Sequence, residues 1–146
     1  MVKSIRGFNL VELMIVILII AILAAIALPM YKNHKVKIER TAAKVEMMEI
    51  TSKLQRYKIT NFSFIKNGTA VTLADINAPT VIPTDRTPLY DLRLTNITAG
   101  GWTLTAIPKA GTMMQGDGSL VTNSRGQKCR TVAATCTPSA TTSWND

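Results

Sequence analysis

The sequence predicts an α+β fold in which a long N-terminal α-helix packs on a four-stranded antiparallel β-sheet. Three observations lead to this prediction. An apolar run begins near the N-terminus, a helical stretch with one apolar stripe continues it, and four short segments of alternating polarity follow residue 88. The 146 residues suit one domain with a modest core.

The apolar run reads GFNLVELMIVILIIAILAAIALPMY over residues 7–31. A helix from Leu10 to Leu28 has a length of about 28 Å, which is close to the thickness of the hydrocarbon core of a bilayer. We therefore expect residues 8–30 to form a helix that can span a membrane.

Charges before the run predict its orientation. Lys3 and Arg6 precede it, so the positive-inside rule places the N-terminus in the cytoplasm and the bulk of the chain on the other side. A secretory signal cleaved near Ala24–Ala27 is the alternative. Pro29 and a charged helical stretch follow without a break, which disfavours that alternative.

Glu12 is the most informative residue of the run, because an acid in a membrane segment is costly and is a functional candidate by default. The string GFNLVELMIV, followed by Pro29 and Tyr31, resembles the N-terminus of type IV prepilins. The resemblance implies that residues 1–7 are a leader, that a membrane peptidase cuts after Gly7, and that Phe8 is then N-methylated. It also implies that Glu12 directs methylation and filament docking.

Two residues depart from the family pattern. Asn9 stands where the family usually has threonine, and Ala21 stands where many members have glycine. The second departure makes local unwinding between Ala21 and Pro29 less expected.

Processing would give Glu12 a chemical partner. Cleavage creates an α-amine on Phe8, which becomes cationic beside an acid. A carboxylate in an apolar bundle needs a cation, and the amine of an adjacent subunit would fix the axial register. The alternative is that Glu12 lies at the membrane interface and contacts water.

The helix is predicted to continue through Pro29 with a bend and to end near Lys58. Over residues 31–58 one apolar stripe recurs at helical spacing, and it comprises Val36, Ala43, Met47, Ile50, Leu54 and Tyr57. Residues 59–88 lose this period and contain several prolines, which predicts a connecting loop with a short helical turn near residues 73–76.

Residues 89–146 are predicted to form the sheet and a C-terminal loop. The four strands are expected at residues 89–95, 102–107, 119–123 and 128–132. Their alternation places Tyr90, Leu92 and Leu94 on one face, and Trp102, Leu104 and Ala106 face inward on the next strand. This sheet face can bury the apolar stripe of the helix.

Cys129 and Cys136 are the two cysteines of the chain. A disulfide between them is the economical interpretation for a part of the chain expected outside the cytoplasm, and free thiols are the alternative. A metal site would need further ligands. The loop also resembles the disulfide region of pilins, and GDGSLVTNSRGQK resembles the closing hairpin of short pilins, including minor ones.

The formal charge is +8, and +6 remains if Lys3 and Arg6 leave with the leader. Such a surface favours acidic partners, DNA among them. The nucleic-acid contacts that the sequence suggests are Lys109, Arg125, Lys128 and Arg130. No catalytic constellation, phosphate loop or metal-ligand pattern is visible, so we expect neither an enzyme nor a bound cofactor.

The resemblance implies a structural subunit of a type IV pilus, with a lean toward a minor pilin. We expect an inner-membrane precursor with a periplasmic head, and an extracellular pilus after assembly. The expected partners are other pilin subunits, the prepilin peptidase, the inner-membrane assembly machinery and, in a competence pilin, DNA. A type II secretion pseudopilin and a DNA-binding competence pilin are the alternatives, and family roles include adhesion and twitching motility.

Overall fold

The computed structural model describes residues 9–132 and 136–145, and the chain divides into two compact units, residues 1–37 and 38–146. One helix, α1 (Leu10–Asn61), contributes to both units. It begins two residues after the predicted start at Phe8 and ends three residues after Lys58. Pro29 lies inside α1 and does not end it, as predicted.

The first unit consists, in its described part, of the N-terminal portion of α1. Its large apolar side chains are exposed without exception from Leu10 to Tyr31. By length and composition α1 is long and apolar enough to cross a membrane. The side chains thus have no apolar partner within this unit and suit lipid or other helices.

The second unit, which we call the head, contains the rest of α1. Ala43, Met47, Ile50 and Leu54 are buried on the predicted stripe. Glu39 is buried on the same side of the helix, which the apolar pattern did not predict. Glu49 and Lys53, four residues apart on α1, form an ion pair with 3.4 Å between Oε1 and Nζ.

The sheet of the head has five antiparallel strands, and strands that are consecutive in the chain are neighbours in the sheet. Its strands are β3 (Val81–Ile82), β4 (Tyr90–Thr95), β5 (Thr103–Pro108), β6 (Ser119–Asn123) and β7 (Lys128–Thr131). The predicted count of four is wrong because β3 pairs with β4 at the sheet edge. A strand of two residues has no visible alternation, so sequence patterning could not reveal it.

The segment between α1 and the sheet holds further structure. A hairpin of β1 (Ile65–Lys66) and β2 (Thr69–Ala70) turns at Asn67-Gly68. A 3₁₀ turn at Ala74–Ile76 lies where the short helical turn was predicted.

Register in the sheet follows the predicted alternation. Leu92 pairs with Ala106, Leu94 pairs with Leu104, and Ala106 pairs with Leu120. These side chains share one face, and Leu92, Leu104, Ala106 and Leu120 are buried on it. The core of the head is therefore made by this face together with the buried stripe of α1.

Candidate nucleic-acid interface and assembly helix

The predicted assembly residues lie at the start of α1. Glu12 lies in the first turn of the helix and is exposed among apolar neighbours. No ion pair within residues 9–132 and 136–145 includes it. Gly7 and Phe8, the predicted cleavage and methylation positions, lie outside the described residues. The helix thus presents one acid on an apolar surface, and no cation of the described residues pairs with it.

One end of the head is built from three turns that contact one another, and we call it the loop pole: residues 58–70, 96–101 and 124–126. The Nζ of Lys58 and the backbone N–H of Phe64 both donate to the carbonyl of Ala99, each with an N–O distance of 3.3 Å. The backbone N–H of Ser124 donates to the carbonyl of Trp102 at 3.1 Å. These bonds bring the end of α1, the β4–β5 turn and the β6–β7 turn together.

The loop pole carries cations and no acid. Its three segments contain Lys58, Lys66 and Arg125 and neither aspartate nor glutamate. Lys66 and Arg125 are exposed, while the Nζ of Lys58 lies 5.1 Å from the centroid of the Phe64 ring. Asp75 lines a cleft together with Thr60 and Asn61 of the first segment, but no ion pair among the described residues includes any of the three cations. Cations that are not paired with an acid give a positive local potential that attracts anionic ligands.

Side-chain hydrogen bonds fix the turn that carries Arg125. The Oδ1 of Asn123 accepts from the backbone N–H of Arg125 at 3.0 Å and from that of Gln127 at 3.1 Å. The Asn123 amide in turn donates to the Gln127 side chain at 2.8 Å. The backbone under Arg125 is therefore held in one conformation, which reduces the entropy that a ligand would have to remove.

Three acids of the head lie beside cations near the opposite ends of the strands, and we call this end the ion-pair pole: Glu39, Arg40, Arg86, Asp91, Lys109, Asp117 and Arg130. The Asp117 carboxylate contacts the guanidinium groups of Arg40 and Arg130. Two further pairs are Arg86 with Glu39 at 2.6 Å and Lys109 with Asp91 at 2.8 Å. Hydrogen bonding to Asp117 raises the pKa of Arg40. The charges at this pole largely neutralise one another.

The structure does not bring together the four cations that the sequence suggested as nucleic-acid contacts. Lys109 and Arg130 lie at the ion-pair pole and are bound to Asp91 and Asp117. Arg125 lies at the loop pole. Lys128 lies near it on β7, with its Nζ 4.9 Å from the centroid of the Trp144 ring.

The C-terminal segment lies beside Arg125 and Lys128. The disulfide between Cys129 and Cys136 is present, as predicted. The indole N–H of Trp144 donates to the Val121 carbonyl at 2.9 Å. Between the β6–β7 turn and residues 139–143 lies a cleft of about 200 Å³ whose lining includes Arg125, Lys128 and several hydroxyl groups.

Sequence reasoning missed the cations of the first loop-pole segment. Lys58 and Lys66 belong to a stretch, residues 50–74, that has four cations and no acid. This local charge imbalance was a usable signal. What the sequence could not show is that the β6–β7 turn, some sixty residues later, lies at the same end of the head.

Comparison with known proteins identifies the family. A family described as "Type IV minor pilin ComP, DNA uptake sequence receptor" matches residues 29–133, and the prokaryotic N-terminal methylation motif matches residues 2–28. No solved structure matches the chain.

Curated relatives fall into two groups. The chain is 33% identical over 81 residues to the type II secretion system core protein G of Pectobacterium carotovorum subsp. carotovorum, covering 56% of this chain and 51% of the relative. It is 69% identical over 32 residues to the fimbrial protein EcpB of Eikenella corrodens, covering 22% and 20%. It is 49% identical over 45 residues to a fimbrial protein of Pseudomonas aeruginosa, covering 31% and 29%.

The chain thus spans about half or less of the length of these relatives. The match to the minor pilin family covers more of this chain than the matches to these relatives do, because it extends from Pro29 across the described sheet. Together with the methylation motif and the apolar helix that carries Glu12, it shows that the chain belongs to the ComP family of type IV minor pilins.

Proposed function

We propose that this minor pilin binds DNA at the loop pole while its N-terminal helix holds it in a pilus. The observation that carries the proposal is the separation of charge in the head. Glu39, Asp91 and Asp117 are ion-paired at the ion-pair pole, whereas no ion pair among the described residues includes the loop-pole cations Lys58, Lys66 and Arg125. The family description, which names a DNA uptake sequence receptor, supports the same ligand.

The geometry suits a phosphate backbone. Lys66 and Arg125 are exposed on two of the turns, and Lys128 extends the positive surface along the cleft beside the C-terminal segment. Each phosphate that such a cation neutralises releases a counterion, so binding weakens with salt by a slope of about 0.9 per contact. With three or four contacts, the logarithm of the binding constant should therefore fall by about 3 to 4 per tenfold rise in salt concentration.

The test compares two sets of variants of the full chain in detergent. Lys66→Ala with Arg125→Ala should weaken binding to a fluorescent DNA duplex and lower the salt slope by about two. Lys109→Ala is the matched control, because it removes one cation from the ion-pair pole. Binding measured between about 50 and 200 mM salt gives both the affinity and the slope.

Comparing the two variants shows at which pole DNA binds. Unchanged binding by the double variant, or a larger loss with Lys109→Ala, would contradict the placement of DNA at the loop pole. Failure of the unmodified chain to bind DNA would contradict the proposed ligand.

The proposal for assembly concerns Glu12. We propose that a membrane peptidase cleaves after Gly7 and methylates Phe8, and that the head lies in the periplasm before assembly. The inner-membrane pilus machinery then moves the chain into the filament, where the Phe8 amine of a neighbouring pilin meets Glu12. The exposed acid at the start of an apolar helix supports this role, because a carboxylate among packed helices requires a cation.

Glu12→Gln tests this pairing with nearly the same side-chain volume. We expect the variant to insert and to be processed but to be depleted from sheared pili, as measured by quantitative mass spectrometry. Leu13→Ile serves as the control, since it leaves the apolar surface intact. Equal incorporation of Glu12→Gln and unmodified subunits would contradict the charge pairing.

A further inference from the structure

The residue that directly follows α1 is an exposed aromatic in an unfavourable backbone conformation. Phe62 follows Asn61, its side chain is 85% exposed, and its φ is +60°. Its N–H donates to the Lys58 carbonyl at 2.7 Å, which is the bond that closes a helix through a left-handed residue. Glycine usually occupies this position, because a side chain there costs free energy.

Other left-handed positions of the chain show what the fold normally selects. Among the described residues, the non-glycine residues with positive φ are Phe62, Asn67, Asn77 and Asn96. Asparagine tolerates this conformation through local hydrogen bonds, and phenylalanine has no such compensation. Because the ring of Phe62 is exposed, burial of its apolar surface does not offset the free-energy cost of the left-handed backbone. Neither the backbone nor the core of this chain therefore explains the aromatic side chain.

The surroundings of Phe62 are apolar and cationic. Ile59, three residues earlier, is 74% exposed. The backbone carbonyl of Lys58 accepts the hydrogen bond from Phe62, and Lys66 lies on the hairpin that follows. Neither lysine is ion-paired among the described residues, and one acid, Asp75, lines a cleft with Thr60 and Asn61. An exposed ring close in the chain to two unpaired lysines matches a ligand that offers both negative charge and flat apolar surface.

Nucleic acid combines these two properties. Its phosphates match the lysines, and an unstacked base offers a flat face to an aromatic ring. Such stacking contributes about 1–3 kcal/mol per base, and apolar side chains also act as wedges between base steps. A neighbouring pilin would provide apolar contact but gives no reason for three cations that no acid of the described residues pairs with.

We propose that Phe62 stacks on an unstacked base of DNA held at the loop pole. This inference rests on the proposed function, since it assigns the ring a role within the same surface. It adds that the surface prefers single-stranded or kinked DNA to a straight duplex, because a regular duplex keeps its bases stacked.

The experiment measures binding of the full chain in detergent to a single strand and to a duplex of the same sequence, each carrying 2-aminopurine. Unmodified protein should bind the single strand more tightly and change the 2-aminopurine fluorescence. Phe62→Leu keeps an apolar side chain but cannot stack, and it should weaken binding about 5- to 150-fold. The salt slope should not change, because no cation is lost. Phe62→Trp should retain binding.

Phe62→Gly separates binding from folding. It removes the ring and relieves the backbone, so its unfolding midpoint should rise while its DNA affinity falls. Ile59→Ala is the matched control for a lost exposed apolar side chain.

Each remaining outcome is decisive. DNA binding that is unchanged in Phe62→Leu overturns the stacking role and leaves the proposed function intact. Unchanged DNA binding with loss of Phe62→Leu from sheared pili overturns it in favour of a contact between subunits. No DNA binding by the unmodified chain overturns the proposed function, and the stacking role with it.

Discussion

Tyr90 gives the sharpest test of the head structure. Its side chain is fully buried, and its hydroxyl has no hydrogen-bond partner among the residues that the structure describes. A buried polar group without a partner costs about 1–3 kcal/mol. Tyr90→Phe removes only that hydroxyl and keeps the ring. We therefore predict that the variant raises the free energy of unfolding by about 1 kcal/mol at neutral pH.

The same residue makes a prediction for alkaline pH. Burial, and next the charge of Asp117, raise the pKa of Tyr90 well above the value of about 10 that tyrosine has in an unfolded chain. Below pH 10 both states keep the proton and Tyr90 adds no pH dependence. Above about pH 10 the unfolded chain releases the proton and the native head does not, so stability falls by up to about 1.4 kcal/mol per pH unit.

The assay is urea unfolding of the full chain in detergent, followed by tryptophan fluorescence. Trp102 and Trp144 are the two tryptophans of the chain, and both are buried in the head. The stability difference between Tyr90→Phe and the unmodified chain should be constant up to about pH 9 and grow by about 1.4 kcal/mol by about pH 11. Other titrating groups cancel in this difference. A difference that stays constant to about pH 11 would refute the buried, protonated state of Tyr90.

Two further predictions use the same unfolding assay at neutral pH. Asp117→Asn should lower the free energy of unfolding by about 3 kcal/mol, because it leaves two partly buried arginines without their acid. Asp85 is exposed, so Asp85→Asn should change the free energy of unfolding little. Equal effects of the two substitutions would contradict the ion-pair cluster. Gly118→Ala should cost at least about 3 kcal/mol, because φ is +98° and a Cβ would lie 2.6 Å from the Thr131 carbonyl oxygen. Gly111→Ala, with positive φ but open space, should cost about 1 kcal/mol, and similar costs at the two glycines would argue against that close approach.

Local patterns predicted the regular elements well. Helical spacing identified the buried stripe that contains Met47 and Leu54, and alternation identified the four longer strands to within about one residue at each end. Both signals work because the side-chain period of an element is set by its own backbone. The hairpin and β3 escaped detection since strands of two residues contain no period.

The candidate site was predicted less completely. Of the four suggested cations, Arg125 and Lys128 lie at or near the loop pole, and Lys109 and Arg130 are ion-paired at the other end of the sheet. Nothing in the residues next to Arg130 indicates its partner, because Asp117 meets it across the β6–β7 pair.

Residue order alone predicts an apolar helix with a lone acid, an amphipathic continuation of that helix, and a small meander with a cysteine pair. Each of these depends on neighbours within a few positions along the chain. The folded head was needed to show which charges are neutralised, and which end is left positive with Phe62 beside it. Both features rest on contacts between segments far apart in sequence, since Coulomb and hydrogen-bond energies depend on distance in space.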